Sequence, residues 1–328
     1  MTSVPATLTD VERAKELFRR IYSNAGLIVH RIRNLPQIPD FKRNPMKALL
    51  RRLAWRARWK VCRRPWLLPL RGGLKIAVCN DGHGAYLYYS RGQTESDVGD
   101  MVIRFLKAGM TFVDVGSHFG TYTLLAARAV GPHGTVHAFE PDPAVYRLLA
   151  FNVRLNRSAN THAHRNAVSD ARGSREFEIR KEAMLSSLAP HGDRIGAHGT
   201  VKTIRVDTLR LDDVFAADAK KADLIKVDVE GAELMVFSGA KGLLAREPAE
   251  APVWIFEYEP VNYARFGYVP RDLIQLLLHH EYGLWVCKSD GRGEKIDPFT
   301  VPRGVKNLIA IKEGAVPPSG SPPIFFDG

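Results

Sequence analysis

The chain has 328 residues, 45% of them apolar and 25% charged, with 47 Lys/Arg against 35 Asp/Glu for a net charge of +12. That is enough for one or two domains with a sizeable core, and it excludes a disordered chain, a collagen and a coiled coil. No apolar run reaches the roughly 18 residues of a membrane-spanning helix, the N-terminal stretch lacks the apolar centre of a signal peptide, and three scattered cysteines (Cys62, Cys79, Cys287) suit a reduced, cytoplasmic chain without a disulfide frame.

The charge is concentrated at one end. Residues 1–75 hold eighteen Lys/Arg and four Asp/Glu, whereas the remaining 253 residues are nearly balanced. Between Phe41 and Trp66 there are ten cations and no acid, with Trp55, Trp59 and Trp66 among them. Met46, Leu49, Leu53 and Ala57 recur at spacings of three and four, which predicts a basic amphipathic helix. Such a helix could pack on a neighbouring domain, lie on an anionic membrane surface with its tryptophans at the interface, or meet nucleic-acid phosphates. The chain therefore divides into a basic, mostly helical region (1–75), a main domain (76–312) and a loose Pro/Gly-rich tail (313–328).

Residues 76–90 read as a short hairpin turning at Asp81-Gly-His-Gly84. From about residue 95, strands and helices alternate. Strands are predicted at 111–115, 135–139, around 162–168, 223–229, 253–257, 283–286 and 307–311, and helices at 121–130, 142–156, 233–244 and 271–280, with 171–205 irregular or in small strands. Strands separated by such helices make a mostly parallel, three-layer α/β sheet.

The strongest local signal is Asp114-Val-Gly116-Ser117-His118-Phe-Gly120, set between a strand and a helix. Glycines let the chain turn and let a ligand approach the backbone, and the helix start presents free N–H groups. The spacing D-x-G-x-x-x-G is not the dinucleotide fingerprint G-x-G-x-x-G. An acid at Asp114 would repel a pyrophosphate but suits a cationic ligand such as S-adenosylmethionine. Glu140, ending the second strand, is placed to take ribose hydroxyls.

The run from Asp114 to Asn156 resembles the FkbM family of S-adenosylmethionine-dependent methyltransferases, as do Asn166-Ala-Val-Ser-Asp170, Val206-Asp-Thr-Leu209 and Ile225-Lys-Val-Asp-Val-Glu-Gly-Ala-Glu233. Glu95 resembles that family's acidic position before the first strand. His118 stands where the family often has Asn. The resemblance spans residues 90–260 and implies a class I methyltransferase (Rossmann-like) sheet of seven strands. It also implies methyl transfer to a hydroxyl of a sugar, a glycan- or lipid-linked acceptor or a secondary metabolite. By the same resemblance, Asp114, Gly116, Ser117, His118 and Gly120 shape the methionine pocket, Glu140 holds the ribose, Asn166 to Asp170 border the adenine, and Asp228 lies beside the sulfonium.

A neutral hydroxyl must lose its proton as its oxygen attacks, so a base belongs nearby. Candidates at strand C-terminal ends are Asp228, Glu257 and His118, with Glu230 beside them. A metal site built on Asp228 is an alternative that no His/Cys cluster supports, and none is expected. Rival readings are an RNA methyltransferase that uses the basic segment, a dinucleotide-dependent oxidoreductase, and a non-catalytic membrane-surface protein of the same fold. The expected setting is the cytoplasm, with peripheral attachment to the inner membrane face through residues 41–66.

Overall fold

The computed structural model describes residues 44–91, 96–180, 186–188, 200–216, 221–287, 293–302 and 304–315. Most of the basic N-terminal region and the tail beyond residue 315 therefore lie outside the described residues. The chain separates into two units, 1–62 and 63–328. In the first unit, helix α1 (Pro45–Val61) is started by Asn44, whose side chain accepts from the Lys47 N–H at 3.0 Å. Its last turn carries Arg58 and Lys60, which suits the negative end of the helix dipole. No described helix is long and apolar enough to cross a membrane.

The second unit opens with a hairpin of β1 (Trp66–Leu70) and β2 (Leu74–Val78). The expected turn at residues 81–84 is instead the start of helix α2 (Gly82–Ser90): Asp81 accepts from the Gly84 N–H at 2.7 Å and caps it. Asp favours turns and helix starts alike, because its short side chain satisfies a nearby backbone donor in both. The hairpin exists, but about ten residues earlier, around 71–73.

The main sheet alternates with helices from there on. Helix α3 (Ser96–Phe105) leads into β3 (Thr111–Val115), α4 (Thr121–Val130), β4 (Thr135–Phe139), α5 (Pro143–Leu155) and β5 (Thr161–His164). After a second, smaller sheet the chain returns through α6 (Leu211–Ala216), β10 (Leu224–Val227), α7 (Glu233–Ser238), α8 (Lys241–Leu244), β11 (Val253–Glu257), α9 (Pro260–Tyr263), α10 (Pro270–His279), β12 (Tyr282–Cys287), β13 (Gly293–Ile296) and β14 (Asn307–Lys312). The strand order is β13-β12-β14-β11-β10-β3-β4-β5. From β5 to β11 neighbours are parallel, and β14, β12 and β13 run antiparallel at the far edge. This is the class I, Rossmann-like sheet, with β13 added as an eighth strand.

Alternation along each strand builds the three layers. Val113, Ile225, Trp254 and Phe256 face α7, α8 and α10, where Val236, Phe237, Leu243 and Leu277 meet them. Their neighbours Phe112, Leu224, Val253 and Ile255 face α3 and α4, against Met101, Val102, Ala126 and Val130.

Two further differences from the sequence reading have clear causes. The stretch read as irregular or in small strands holds two longer ones, β7 (Gly173–Arg180) and β9 (Thr200–Leu209), which pair antiparallel in a sheet ordered β6-β9-β7-β8, with β6 (Ala167–Val168) and β8 (Ser187–Leu188). The single helix expected over 233–244 breaks at Gly239-Ala240. A Cβ at Gly239 would lie 2.0 Å from the Ser169 carbonyl oxygen, so β6's end and the helix meet only across a glycine.

The outward backbone of β2 is held by side chains rather than by another strand. Asn152 on α5 accepts from the Ala77 N–H (2.7 Å) and donates to its carbonyl (2.9 Å), and one turn later Asn156 does the same for Lys75 (2.9 and 2.7 Å). Asn152 also donates to the Phe119 carbonyl at 2.9 Å, tying hairpin and glycine loop to one residue. Asn152→Leu, which keeps the volume and removes all three bonds, is expected to lower unfolding stability in a urea titration by at least about 2 kcal/mol, because each buried backbone group left unsatisfied costs about 1–3 kcal/mol. A loss below about 0.5 kcal/mol would show that the amide contacts are incidental.

Candidate active site

β3 and β10 lie side by side in register, Asp114 beside Lys226 and Val115 beside Val227. From β3 the chain turns one way to β4 and later, from β10, the other way to β11. The crevice outside these strand ends is the topological switch point where open α/β sheets bind ligands. A cleft of roughly 900 Å³, open mouth included, lies there. Its walls come from residues 115–118, Glu140, 166–168, Asp228 to Glu230 and Ala232, with His83, Phe177 and Leu188 closing the sides.

The glycine loop is shaped by close approach. Gly116 has φ 81°, and a Cβ there would fall 1.8 Å from the Asp228 carbonyl oxygen. Gly116 and Ser117 both donate their N–H groups to the Phe139 carbonyl, at 3.1 and 3.0 Å. The Ser117 hydroxyl donates to the same oxygen at 3.1 Å, so its side chain pins the loop over β4. Gly120, at φ 89°, starts α4, and a Cβ there would meet Leu149 at 2.6 Å. His118 also has positive φ, 50°, a conformation uncommon without glycine. Its N–H donates to Glu140 Oε2 at 3.0 Å, and its Nε2 lies 3.3 Å from Asp81 Oδ2.

Glu140 is buried at the tip of β4, its Oε1 accepting from the Asp142 N–H at 2.8 Å. Burial pushes its carboxyl up to about 7, against the pull of His118 and of the two backbone N–H groups. Asp114 is placed differently. It is 1% exposed, accepts from the Thr123 hydroxyl at 2.6 Å, and does not itself line the cleft. Its other oxygen has no hydrogen-bond partner among the described residues. Burial raises its pKa, opposed chiefly by Lys226 and the Thr123 bond. Asp114 thus supports the loop from beneath, while Glu140 and Asn166 reach the cleft wall. Glu95 lies outside the described residues.

At the tip of β10, Asp228 lines the cleft and its Oδ2 lies 2.8 Å from the ammonium of Lys226. Lys226 is buried. Desolvation alone would lower its pKa, but Asp228 and Asp114 outweigh that and leave it raised, so it is a cation. Asp228, Glu230 and Glu257 offer carboxylate oxygens all within 4.8 Å of one another. Burial first, then Asp228 and the neighbouring glutamates, hold Glu230 and Glu257 well above the ordinary carboxylate range. Asn262 donates to Glu230 at 3.1 Å, whereas Glu257 Oε2 is buried without a partner among the described residues. Three acids this close can share protons or hold a divalent cation. Glu257 stands behind Asp228 and Glu230 rather than on the cleft wall.

A titratable cleft residue escaped the sequence reading. His83, in the first turn of α2, shares a 3.0 Å hydrogen bond with Thr121 and sits edge-on to His118. Burial, then His118, pulls its pKa down to about 3, so it is a neutral imidazole. Reading Asp81-Gly-His-Gly84 as a turn hid it, although Asp three residues before a glycine N–H is also a cap signal. Phe177 and Leu188 were hidden in the segment read as irregular or in small strands.

Residues 114–284 match the family described as the Methyltransferase FkbM domain. The chain is 30% identical over 208 residues to the 31-O-demethyl-FK506 methyltransferase FkbM of Streptomyces tacrolimicus, covering 53% of this chain and 75% of that protein. It is 30% identical over 154 residues to the hexuronic acid methyltransferase AglP of Haloferax volcanii, covering 46% and 58%. Among solved structures, the precorrin-6y C5,15-methyltransferase of Geobacter metallireducens superimposes with a TM-score of 0.38 at 11% identity, over 67% of this chain and 91% of that one.

The Glu140 environment gives a signed test. Its folded pKa of about 7 lies above the ordinary glutamate value of 4.5, so its stabilising effect is complete below about 4.5 and is lost as pH rises through about 7. Glu140→Gln does not titrate. The stability difference between Glu140→Gln and wild type, read from denaturant midpoints, should therefore shift in favour of the variant between pH 5 and pH 8. A pH-independent difference would contradict the buried-carboxyl account.

Proposed function

Since the chain belongs to the FkbM methyltransferase family, we propose that it moves a methyl group from S-adenosylmethionine to a hydroxyl oxygen of a small-molecule or glycan acceptor. The sugar or secondary-metabolite character of that acceptor is supported by two relatives, one named for an O-demethyl compound and one for a hexuronic acid. The observation that carries the reading is the cleft itself, where a backbone loop, the Glu140 carboxyl and the cluster at Asp228 converge on one crevice.

The residues present fit the cofactor. Gly116, Ser117 and His118 form one wall, Glu140 stands at the position for ribose hydroxyls, and Asn166 to Val168 with Phe139 and Leu188 offer a slot for a flat ring. The neutral state of His83 adds no positive charge to a site meant for a sulfonium. Bound there, S-adenosylmethionine supplies the methyl group and leaves as the thioether. The chain's own residues hold the acceptor oxygen in line with the methyl carbon and receive its proton. Positioning of this kind is a large part of the rate.

Asp228 is the base in this reading, because it lines the cleft and is paired with the Lys226 ammonium, whereas Glu230, which lines the cleft beside it, is held well above the ordinary carboxylate range. The ammonium of Lys226 fixes its orientation, and its carboxylate would receive the proton of the acceptor hydroxyl. Glu230 beside it and Glu257 behind it, both protonated near neutral pH, modulate that basicity.

An acceptor screen with isotopically labelled methyl donor, read by mass spectrometry, should find label on oxygen. Label found only on nitrogen or carbon, or on RNA, would overturn the hydroxyl assignment. Once an acceptor is in hand, Asp228→Asn should lower kcat by roughly 100-fold or more, the range of a lost general base. The wild-type rate should rise through about pH 8 as Glu230 loses its proton and strengthens the base. Glu230→Gln, which imitates the protonated form, should flatten that rise, and superimposable profiles would remove Glu230 from the mechanism.

A further inference from the structure

Helix α1 carries two apolar faces, and among the described residues one of them is buried and the other exposed. At about 100° per residue, Ala48, Trp55 and Trp59 fall on one side of the helix, and all three are buried, the two indoles edge-to-face at 5.4 Å. Met46, Leu49, Leu50 and Leu53 fall on the opposite side. They are 66, 46, 56 and 52% exposed, and Val61 continues the stripe at the helix end. The sequence alone suggested tryptophans as the outward anchors. The structure reverses this and leaves the leucines and methionine facing out.

The exposed stripe is bordered by cations. Arg56 lies along one edge and Lys47 along the other, and Lys60 lies in line with the stripe at the helix's C-terminal end, all three exposed. The helix contains no acid, and neither does the wider stretch 41–66 with its ten Lys/Arg. An apolar band flanked by cations on a helix too polar to span a bilayer is the pattern of a helix lying in the plane of an anionic membrane. There the apolar side chains enter the acyl boundary and the cations meet lipid phosphates.

We infer that α1 docks this protein on an anionic lipid surface through Met46, Leu49, Leu50 and Leu53. Nucleic acid is the poorer occupant, because a phosphate-binding face would place cations, not leucines, at its centre. The inference rests on α1 alone and stands whether or not the methyl-transfer reading does.

The test is co-sedimentation of the full chain with vesicles of phosphatidylcholine containing about 30% phosphatidylglycerol, beside vesicles of phosphatidylcholine alone. The expected result is binding to the anionic vesicles, weak binding to the neutral ones, and a steep fall as salt rises, since screening shortens the reach of each charge. Leu49→Asp/Leu53→Asp should lower partitioning at least tenfold, and Lys47→Glu/Arg56→Glu/Lys60→Glu should do the same. Both variants should keep the wild-type thermal midpoint, which separates lost docking from lost folding. No binding to anionic vesicles, or binding indifferent to the leucine pair, would overturn the proposal. So would a change of oligomeric state in Leu49→Asp/Leu53→Asp, which would assign the stripe to a second copy of the chain. RNA binding that depends on the same leucines would assign it to nucleic acid.

Discussion

The contact between Gly116 and the backbone of Asp228 sets the geometry of the site. Two parallel strands end side by side, and the chain leaves one as a cofactor-type loop and the other as an acid-bearing turn. The two exits can coexist only if one residue has no side chain, since a Cβ at Gly116 would lie 1.8 Å from the Asp228 carbonyl oxygen. With that approach, the loop crosses β4 and is pinned to Phe139 by both N–H groups and the Ser117 hydroxyl. Glu140 then accepts the His118 N–H. Neighbouring carboxyls and cleft walls follow from this single close passage of backbone.

Around the passage, charge is concentrated and poorly solvated. Asp114, Lys226 and Asp228 form a chain running from beneath the loop to the cleft, with the lysine ammonium balancing both acids. Glu230, Glu233 and Glu257 gather on the far side. Burial and mutual repulsion favour their protonated forms, Glu233 reaching about 7. Perturbed groups of this kind cluster where proton transfer is required, and such packing of acids is costly unless protons or a bound cation relieve it. The positive φ of Glu230, 56°, shows that the backbone too departs from its preferred state there.

Much of this was legible before any coordinates. The strands at 111–115, 135–139 and 253–257 and the helix at 121–130 coincide with the prediction, because buried parallel strands and Ala/Leu-rich helices carry strong, unambiguous patterns. The D-x-G-x-x-x-G loop, Glu140 and Asp228 were visible because glycine and acids at strand ends mean something chemically. What stayed hidden depends on distant partners. His83 reaches the cleft only because Asp81 caps a helix rather than closing a turn. Gly239 interrupts a helix because Ser169, seventy residues away, passes close by. That Asp114 sits beneath the loop rather than on the cleft wall follows from its bond to Thr123, which no spacing rule reveals.

Titration calorimetry of the intact chain with S-adenosylmethionine bears most directly on whether this crevice is a cofactor site. The account predicts saturable, one-to-one binding that weakens at least tenfold in Glu140→Ala, where the carboxyl proposed to hold the ribose is gone, and that is lost in Gly116→Val, where the loop cannot pass Asp228. No heat from the wild-type protein, or undiminished binding by Gly116→Val in a folded sample, would contradict it.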